Sequence, residues 1–588
     1  MLILGLSSLF KSDTAAALVR DGVVEAAIEN YKLDSTSPRG IPEAAIQYCL
    51  SQVGASWKDL AALAIASDPF RGWMRRAFSG RRVTLLAPIA TAYQQGKEVR
   101  RLGKEWTYVR ILRHRLSDPS KLLSIDHHSC HAASAFFLSP FDQALILTLD
   151  GEGDGLSGLL AIGEGSNIQV KDTISFSNSI GWLYSQITDL LGLVPSKEEH
   201  KTQWLGLEGE PICKEILLKI LRRGVTRLPQ LDERYFRRDL TGDLVPSPRL
   251  FDQLSLPANK AEFTFEQKRN VASSIQAAAT EVIGDLIAAW LKKTGMTKIC
   301  LGGGVFHNTL LVCALEHKFG VGNVYVPPAP GNAGTALGAA AWVWHQQLGK
   351  PRNQEVRSIY WGPTFRRSEI KDVLDNVKAR YSLHLTSEKA IDSAVQLLRA
   401  GKILGWVRDR AEFGPRALGN RSILASPWAP YVEENLNDFV KHRESFRPFA
   451  VSVREEDCAR YFEGSPLCRL MNSLAIIRTD VDVLPPALRL PGGLVRLHIV
   501  ERAVNPLLWQ LLARFGEAAP APLLVNTSFN LPGEPPVVRP RDAVRAFFCS
   551  GTDAVFIDHF LLTKFGAAHV LNSGSAEREN QTNPVNST

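Results

Sequence analysis

Three short apolar runs, each ending in a glycine-bearing turn, constrain this chain more than any other feature. MLILGLS leads through SDTAAALVRDG into VVEAAIEN. ALILTLDGEGDGLSGLLAIGEG repeats the arrangement, with its strand ending at Asp150, and TKICLGGGVFHNTLLVCAL joins a strand and three glycines to a helix. Apolar runs alternating with helical patterns predict α/β architecture. Glycine turns at strand ends let backbone N–H groups come close to phosphate oxygens. One such turn is weak support; three in this order predict a duplicated nucleotide-binding fold with a cleft between its halves.

A length of 588 residues calls for two or three domains. The polar, turn-rich HQQLGKPRNQEVRSIYWGP interrupts the pattern near residues 345–370. It predicts a first domain over 1–350, a linker over 351–385 and a second α/β domain over 386–572 with strands at KILGWV, PLLVNTS and AVFID. The polar end, 573–588, reads as a disordered tail. A net charge of +8 is mild for this size and does not in itself indicate nucleic acid, so neither nucleic acid nor a membrane is expected as a partner. Basic residues nevertheless crowd an insertion over about 70–120, with Trp73, Trp106 and Tyr108 among them. It reads either as a solvated helical insertion or as a dock for an anionic substrate, a membrane surface or nucleic acid. The eight cysteines form no C-x-x-C pair and read as reduced thiols. No apolar run reaches the roughly 20 residues of a membrane span, the N-terminus reads as a strand, and a cytoplasmic location is expected.

Five segments carry chemistry. In DHHSCHAASAF, His127 and His131 lie one helical turn apart, a spacing that suits two imidazole ligands to one metal, although such pairs also arise by chance. In LTLDGEGDGLSG, Asp150 ends a strand and could hold a metal-bound water or a metal–phosphate unit, whereas Asp154 reads as a turn residue. Gly302, Gly303 and Gly304, followed by Asn308 and a helix, suit a nucleoside or phosphate, and the loop with Asn332 and Gly334 offers a second anion site. The densest segment runs from GWVRDRAEFGPRALGNRSIL to VKHRESFRPFA. Its Arg408, Arg410, Arg416, Arg421, Lys441, Arg443 and Arg447 lack acidic partners at helical spacing, and converging cations suit a carbamoyl or nucleoside phosphate. Finally, LLVNTSFN brings Asn526 and Ser528 to a strand end, where they could orient a phosphate or planar amide or simply form a turn.

These motifs together resemble the NodU/CmcH family of O-carbamoyltransferases over nearly the whole chain. The most specific segments are AEFGPRALGNRSIL with KHRESFRPFA, DHHSCHAASAF, LGGGVFHN and NTSFN; GWLYSQITDLLGL with EEHKTQWLGLEGEP is also similar. The resemblance implies an N-terminal domain of the actin/Hsp70-like ATPase (ASKHA) class and a C-terminal YrdC-like domain. It implies that carbamoyl phosphate and ATP form carbamoyl-adenylate in the second domain. The carbamoyl group then passes, at a metal-dependent site in the first, to a hydroxyl or amine of a small natural product or saccharide. Carried over by residue, Arg416, Arg421, Lys441, Arg447, Arg496, Asn526 and Ser528 form the adenylate site. His127, His131 and Asn332 fall at the divalent-metal (iron or magnesium) site, and Asp150, Gly302, Gly303, Gly304 and Asn308 fall in the nucleotide cleft. Arg416, Lys441, Arg447 and Asp150 are the expected catalytic groups, and a homodimer is plausible for such a family.

The chain departs from the family pattern mainly at the transfer site. Ser12 stands where a histidine is usual, Glu29-Asn30-Tyr31-Lys32 replaces a Glu-Glu-Arg segment, and Asn332 replaces an aspartate, an amide being the weaker ligand. Asp409 stands in place of a glycine. The alternatives are a family member with an altered or metal-poor transfer site and a non-catalytic, nucleotide-responsive binding protein; a tRNA-modifying transferase is a weaker third.

Overall fold

The computed structural model describes residues 1–571 except 12, 37–38, 79–87, 222–227, 240–243, 353–355, 357, 565–566 and 568. Ser12 and the expected tail therefore lie outside the described residues. The chain divides into two compact units, Met1–Val356 and Arg357–Thr588.

The first unit contains the same sheet twice. Strands β1 (Leu2–Leu6), β2 (Ala15–Arg20) and β3 (Val23–Glu29) form an antiparallel meander, and β4 (Leu60–Ile65) and β5 (Leu122–Ser124) extend it in parallel, giving the order β3-β2-β1-β4-β5. The second meander is β6 (Gln143–Gly153), β7 (Leu156–Glu164) and β8 (Asn167–Ser175). After a small hairpin of β9 (Phe236–Arg238) and β10 (Leu244–Pro246), β11 (Ile299–Gly302) and β12 (Val324–Tyr325) complete the order β12-β11-β6-β7-β8. The two orders match strand for strand, so the expected duplication is present. β1 is buried throughout, which is why it reads as continuous LILGL without alternation.

Two wholly buried helices, His127–Phe137 and Thr335–Ala341, pack against the sheets and each other. Their small residues are required by distance. A Cβ on Gly338 would lie 1.9 Å from the Cys130 carbonyl oxygen, and one on Gly5 would lie 2.0 Å from that of Ala336. The basic insertion contains helices Pro69–Phe78 and Pro88–Arg115. Val109 and Leu112 of the longer one, with Leu116 just beyond it, enter the core of the first sheet, so the insertion is anchored in the domain.

The second unit is built on a mixed eight-stranded sheet. Five neighbouring strands, Leu404–Val407, Arg421–Ala425, Leu523–Ser528, Ala450–Arg454 and Leu497–Val500, follow one another in that spatial order out to one edge. One face carries Ile423, Val451, Val453, Leu497 and Val525. The other packs Trp406, Leu424, Leu524 and Val500 in a core shared with helices Ser387–Arg399 and Pro506–Gly516, then turns polar further along the same strands. The expected linker over 351–385 is partly a structural element: Arg367–Asn376 is a helix whose Ile370 and Leu374 are buried in this unit's core. With few apolar positions among charges, RSEIKDVLDN resembles a linker until its partner surface is present.

These contacts predict opposite outcomes for two glycine-to-alanine changes. Gly338→Ala forces backbone apart and should lower stability by about 1–3 kcal/mol. Gly103→Ala, in a helix with nothing within 4 Å of the added carbon, should raise it by up to about 1 kcal/mol. Thermal unfolding midpoints moving down and up, respectively, check both.

Candidate active sites

The first site lies where the buried helix His127–Phe137 meets the end of β6. Asp126 caps that helix by accepting the Ser129 N–H at 3.1 Å. His127 and His131, one turn apart, bring their Nε2 atoms to 3.0 Å from each other and to 3.3 and 3.6 Å from Asp150 Oδ2. Burial lowers the pKa of both imidazoles and keeps them neutral. For Asp150, burial acts upward, but Lys11 at 3.9 Å and the two histidines outweigh it and hold the carboxyl well below its usual range. Two neutral imidazoles and one carboxylate, with ligand atoms all within 4.8 Å of one another, fit a divalent cation.

Asn332 differs from expectation. Its amide donates to the Asp13 carboxylate at 3.1 Å and to the Asp13 carbonyl at 3.3 Å, while its own Oδ1 is buried with no protein partner. The carboxylate that approaches both histidines is that of Asp150, while Asn332, expected beside them, turns its amide to Asp13. Near the other departure, Lys32 forms a buried ion pair with Glu29 at 2.9 Å.

The three glycines at the end of β11 each lie against protein atoms. Added Cβ atoms would meet the His131 carbonyl at 2.8 Å from Gly302, the Leu149 carbonyl at 2.0 Å from Gly303 (φ +99°) and Asp150 Oδ1 at 2.9 Å from Gly304. Asn308 caps the following helix and donates to Gln276 Oε1 at 2.7 Å. Asp154, read as a turn residue, is buried. It accepts the N–H groups of Asp68 and His127 at 2.8 and 3.0 Å, and burial with the neighbouring Asp126 pushes its pKa up to about 8. Arg101 of the insertion reaches Glu152 at 3.2 Å, and Arg75 pairs with Asp126. The signal for these partners was confined to the crowding of arginines, since they meet across about 50 residues or more of sequence.

In the second unit the dense basic segment divides by role. Arg421 is buried and donates to four carbonyls: Arg408 and Asn420 at 2.5 and 2.7 Å, Pro363 and Asp409 at 3.0 and 3.1 Å. Arg410 similarly holds Trp361 and Gly362, and Arg408 holds the Asp558 carbonyl. Arg421, expected at the adenylate site, is thus bonded to carbonyls around the loop that carries Arg416. Buried Glu412 organises the same loop, accepting the N–H groups of Leu418, Asn420 and Arg421 at 2.8–3.2 Å. Asp409 has φ +40°, the left-handed region in which a glycine is less costly and aspartate is tolerated.

The remaining cations converge. Arg496 is held well below the usual arginine range by burial and then by Arg416, Arg443 and Arg447. Arg416 is lowered to about 10 by burial, and Arg443 to about 9 by burial and Arg447. Lys441 is lowered to about 7 by burial, then Arg443 and Arg447. Its ammonium donates to the Ser528 carbonyl at 2.8 Å and to Asn530 Oδ1 at 2.6 Å. Glu444, 3.7 Å from Arg447, opposes this positive charge. The polar end of the sheet's second face adjoins the strand position of Arg496. There Asn526 Nδ2 contacts Ser452 Oγ at 3.1 Å and His498 Nδ1 at 3.2 Å, Ser452 and His498 are 2.9 Å apart, and Asn526 Oδ1 has no protein partner. His498 and Ser452 were not singled out in the sequence; they look like ordinary strand residues until the register places them opposite each other.

Two measurements test these environments. Above pH about 7 the anion-free Lys441 is neutral, so an anion bound there must recruit a proton. Pyrophosphate affinity should then fall with rising pH above 7, by at most about tenfold per unit. Titration calorimetry in buffers of different ionisation enthalpy should show proton uptake that Lys441→Met abolishes. At the first site, Asp150→Asn should weaken equilibrium binding of a divalent metal by at least about tenfold, measured by dialysis and metal analysis.

Comparison with known proteins finds two family models, one on each part of the chain. Residues 2–341 match the family model "Carbamoyltransferase N-terminus", and residues 395–564 match "Carbamoyltransferase C-terminus". The uncharacterized protein sll1178 of Synechocystis is 32% identical, covering 96% of this chain and 96% of its own. Nodulation protein NolNO of Sinorhizobium fredii is 32% identical over 95% of this chain and 80% of its own. Nodulation protein NolO of Bradyrhizobium diazoefficiens is 35% identical over 75% and 79%. Two family models that together span most of the chain, and relatives of this identity and coverage, place the chain in the carbamoyltransferase family, enzymes that move a one-carbon carbamoyl group.

Proposed function

We propose that the second unit forms carbamoyl-adenylate from carbamoyl phosphate, ATP and one water, releasing phosphate and pyrophosphate, and that the first unit passes the carbamoyl group to a hydroxyl or amine of a small natural product or saccharide, releasing AMP. The observation that carries this reading is the convergence of Arg416, Arg443, Arg447, Arg496 and Lys441: burial and then neighbouring arginines lower Arg496, Arg443 and Lys441, with Glu444 and Glu433 opposing the positive charge. Such a cluster is stabilised by an anion of high charge, and the reaction brings in two phosphorylated substrates and releases two anions. Lys441 and the arginines would neutralise the phosphates, and Asn526, with a free buried acceptor beside the site, would orient the planar carbamoyl amide. Arg421 and Glu412 keep the Arg416 loop in place.

At the first site His127, His131 and Asp150 would hold a divalent cation, which when bound polarises a carbonyl oxygen or lowers the pKa of a bound hydroxyl. Asp150 brings negative charge, and Lys11 beside it contributes a cation. The engagement of Asn332 with Asp13 favours, as a second reading, a transfer site held by three residues and without a fourth protein ligand.

The test separates the two halves. Wild-type protein should catalyse ATP–pyrophosphate exchange that depends on carbamoyl phosphate. Arg447→Ala and Arg416→Ala should lose at least about 100-fold of it, in keeping with removal of a charge-stabilising donor. His131→Ala should exchange normally yet give no carbamoylated product. Exchange absent in the wild type would reject the adenylate; exchange and product lost together in His131→Ala would reject the separation into two sites.

A further inference from the structure

The basic insertion is absorbed by neither site, and its helix Pro88–Arg115 has a defined inner and outer face. Glu105, Val109 and Leu112 are buried, Leu116 continues the buried row just past the helix end, and Arg101 faces Glu105 and Glu152. Arg115 clamps Glu43 through two bonds of 2.6 and 2.7 Å. These contacts fix the rotation of the helix about its axis. The outward face therefore presents Val99, Trp106 and Ile111, with Arg100, Lys104, Arg110 and Arg113 around them. Trp106 is 49% exposed, the one exposed tryptophan of the chain's twelve, and Val99 is 61% exposed. The neighbouring helix Pro69–Phe78 adds Phe70 and Met74, exposed and one turn apart. Among the described side chains the helix's one carboxylate, Glu105, lies on the inner face.

We propose that this outer face is a docking surface for an anionic lipid bilayer, on which the protein lies without spanning it. A tryptophan among aliphatic side chains, ringed by arginine and lysine, matches the boundary between acyl chains and negatively charged headgroups. A second copy is the poorer match, because an isologous pair would set Arg110 and Arg113 against their own equivalents. Nucleic acid would use the cations but leave Val99, Ile111, Phe70 and Met74 without a role. No helix among the described residues is long and apolar enough to cross a membrane, so the contact is peripheral. The inference departs from the expectation that no membrane is a partner, and it stands independently of the proposed adenylate chemistry.

Flotation of the full chain with phosphatidylcholine vesicles, with and without phosphatidylglycerol, tests it. The protein should float with the anionic vesicles only and be released by high salt. Arg110→Ala and Arg113→Ala should each lower partitioning about fivefold, the factor expected for one basic residue near such a surface. Trp106→Ala should lower it further, while pyrophosphate exchange, or the melting temperature if no exchange occurs, stays at the wild-type value. Failure to float with anionic vesicles at low salt, equal flotation with neutral ones, or retention in all three variants would overturn the proposal. So would a dimer in sedimentation that Trp106→Ala converts to monomer, or RNA binding that the same changes abolish.

Discussion

The carbonyl oxygen of Cys130 occupies the space a side chain at residue 338 would need. That contact lets the two buried helices of the first unit approach as closely as backbone permits. Each helix also touches a sheet: His131 opposes Gly302 at the end of β11, and Ala336 opposes Gly5 in β1. The two halves are thereby joined through backbone with few intervening side chains, and such packing tolerates little change in volume. The candidate metal site inherits this rigidity. His127 and His131 project from one of the two helices, and Asp150 reaches them from β6, beside glycines at 153 and 304 that leave room for the ring and the carboxylate.

The second unit solves a different problem, since it holds like charges close together and buried. Burial and mutual repulsion lower Arg443, Arg496 and Lys441, which is an energetic cost to the anion-free protein. The surrounding scaffold is correspondingly well bonded. Four carbonyls receive Arg421, three N–H groups converge on Glu412, and Lys441 is tied to Ser528 and Asn530. Strain of this kind is typical where a protein is shaped for a charged ligand rather than for its own stability.

Much of this was legible in the sequence because it is local. Strand-to-glycine turns announced the duplicated sheets, and the four-residue spacing of His127 and His131 announced their common face. The basic segment announced a cluster of cations, but not which of its members bond to the chain's own carbonyls. Arg416 and Arg421 sit in one loop with the same guanidinium group, and only three-dimensional partners distinguish a brace from a ligand. The same limit explains Asp154 and Lys11, whose meaning depends on residues far along the chain, and the helix Arg367–Asn376, whose two buried side chains are sparse among charges.

The contrast between Asn332 and Asp150 carries the argument one step further. A carboxylate at 332 would stand beside Asp13, whose pKa burial already raises despite help from Asn332 and Lys11. An amide there removes a like charge from a crowded site and donates a hydrogen bond to Asp13 instead. The substitution thus lowers electrostatic cost at one end of the site while the negative charge is concentrated on Asp150, which Lys11 and both histidines favour in its ionised form. An amide at 332 therefore shifts negative charge within this region toward Asp150, where two imidazoles and Lys11 stand against it.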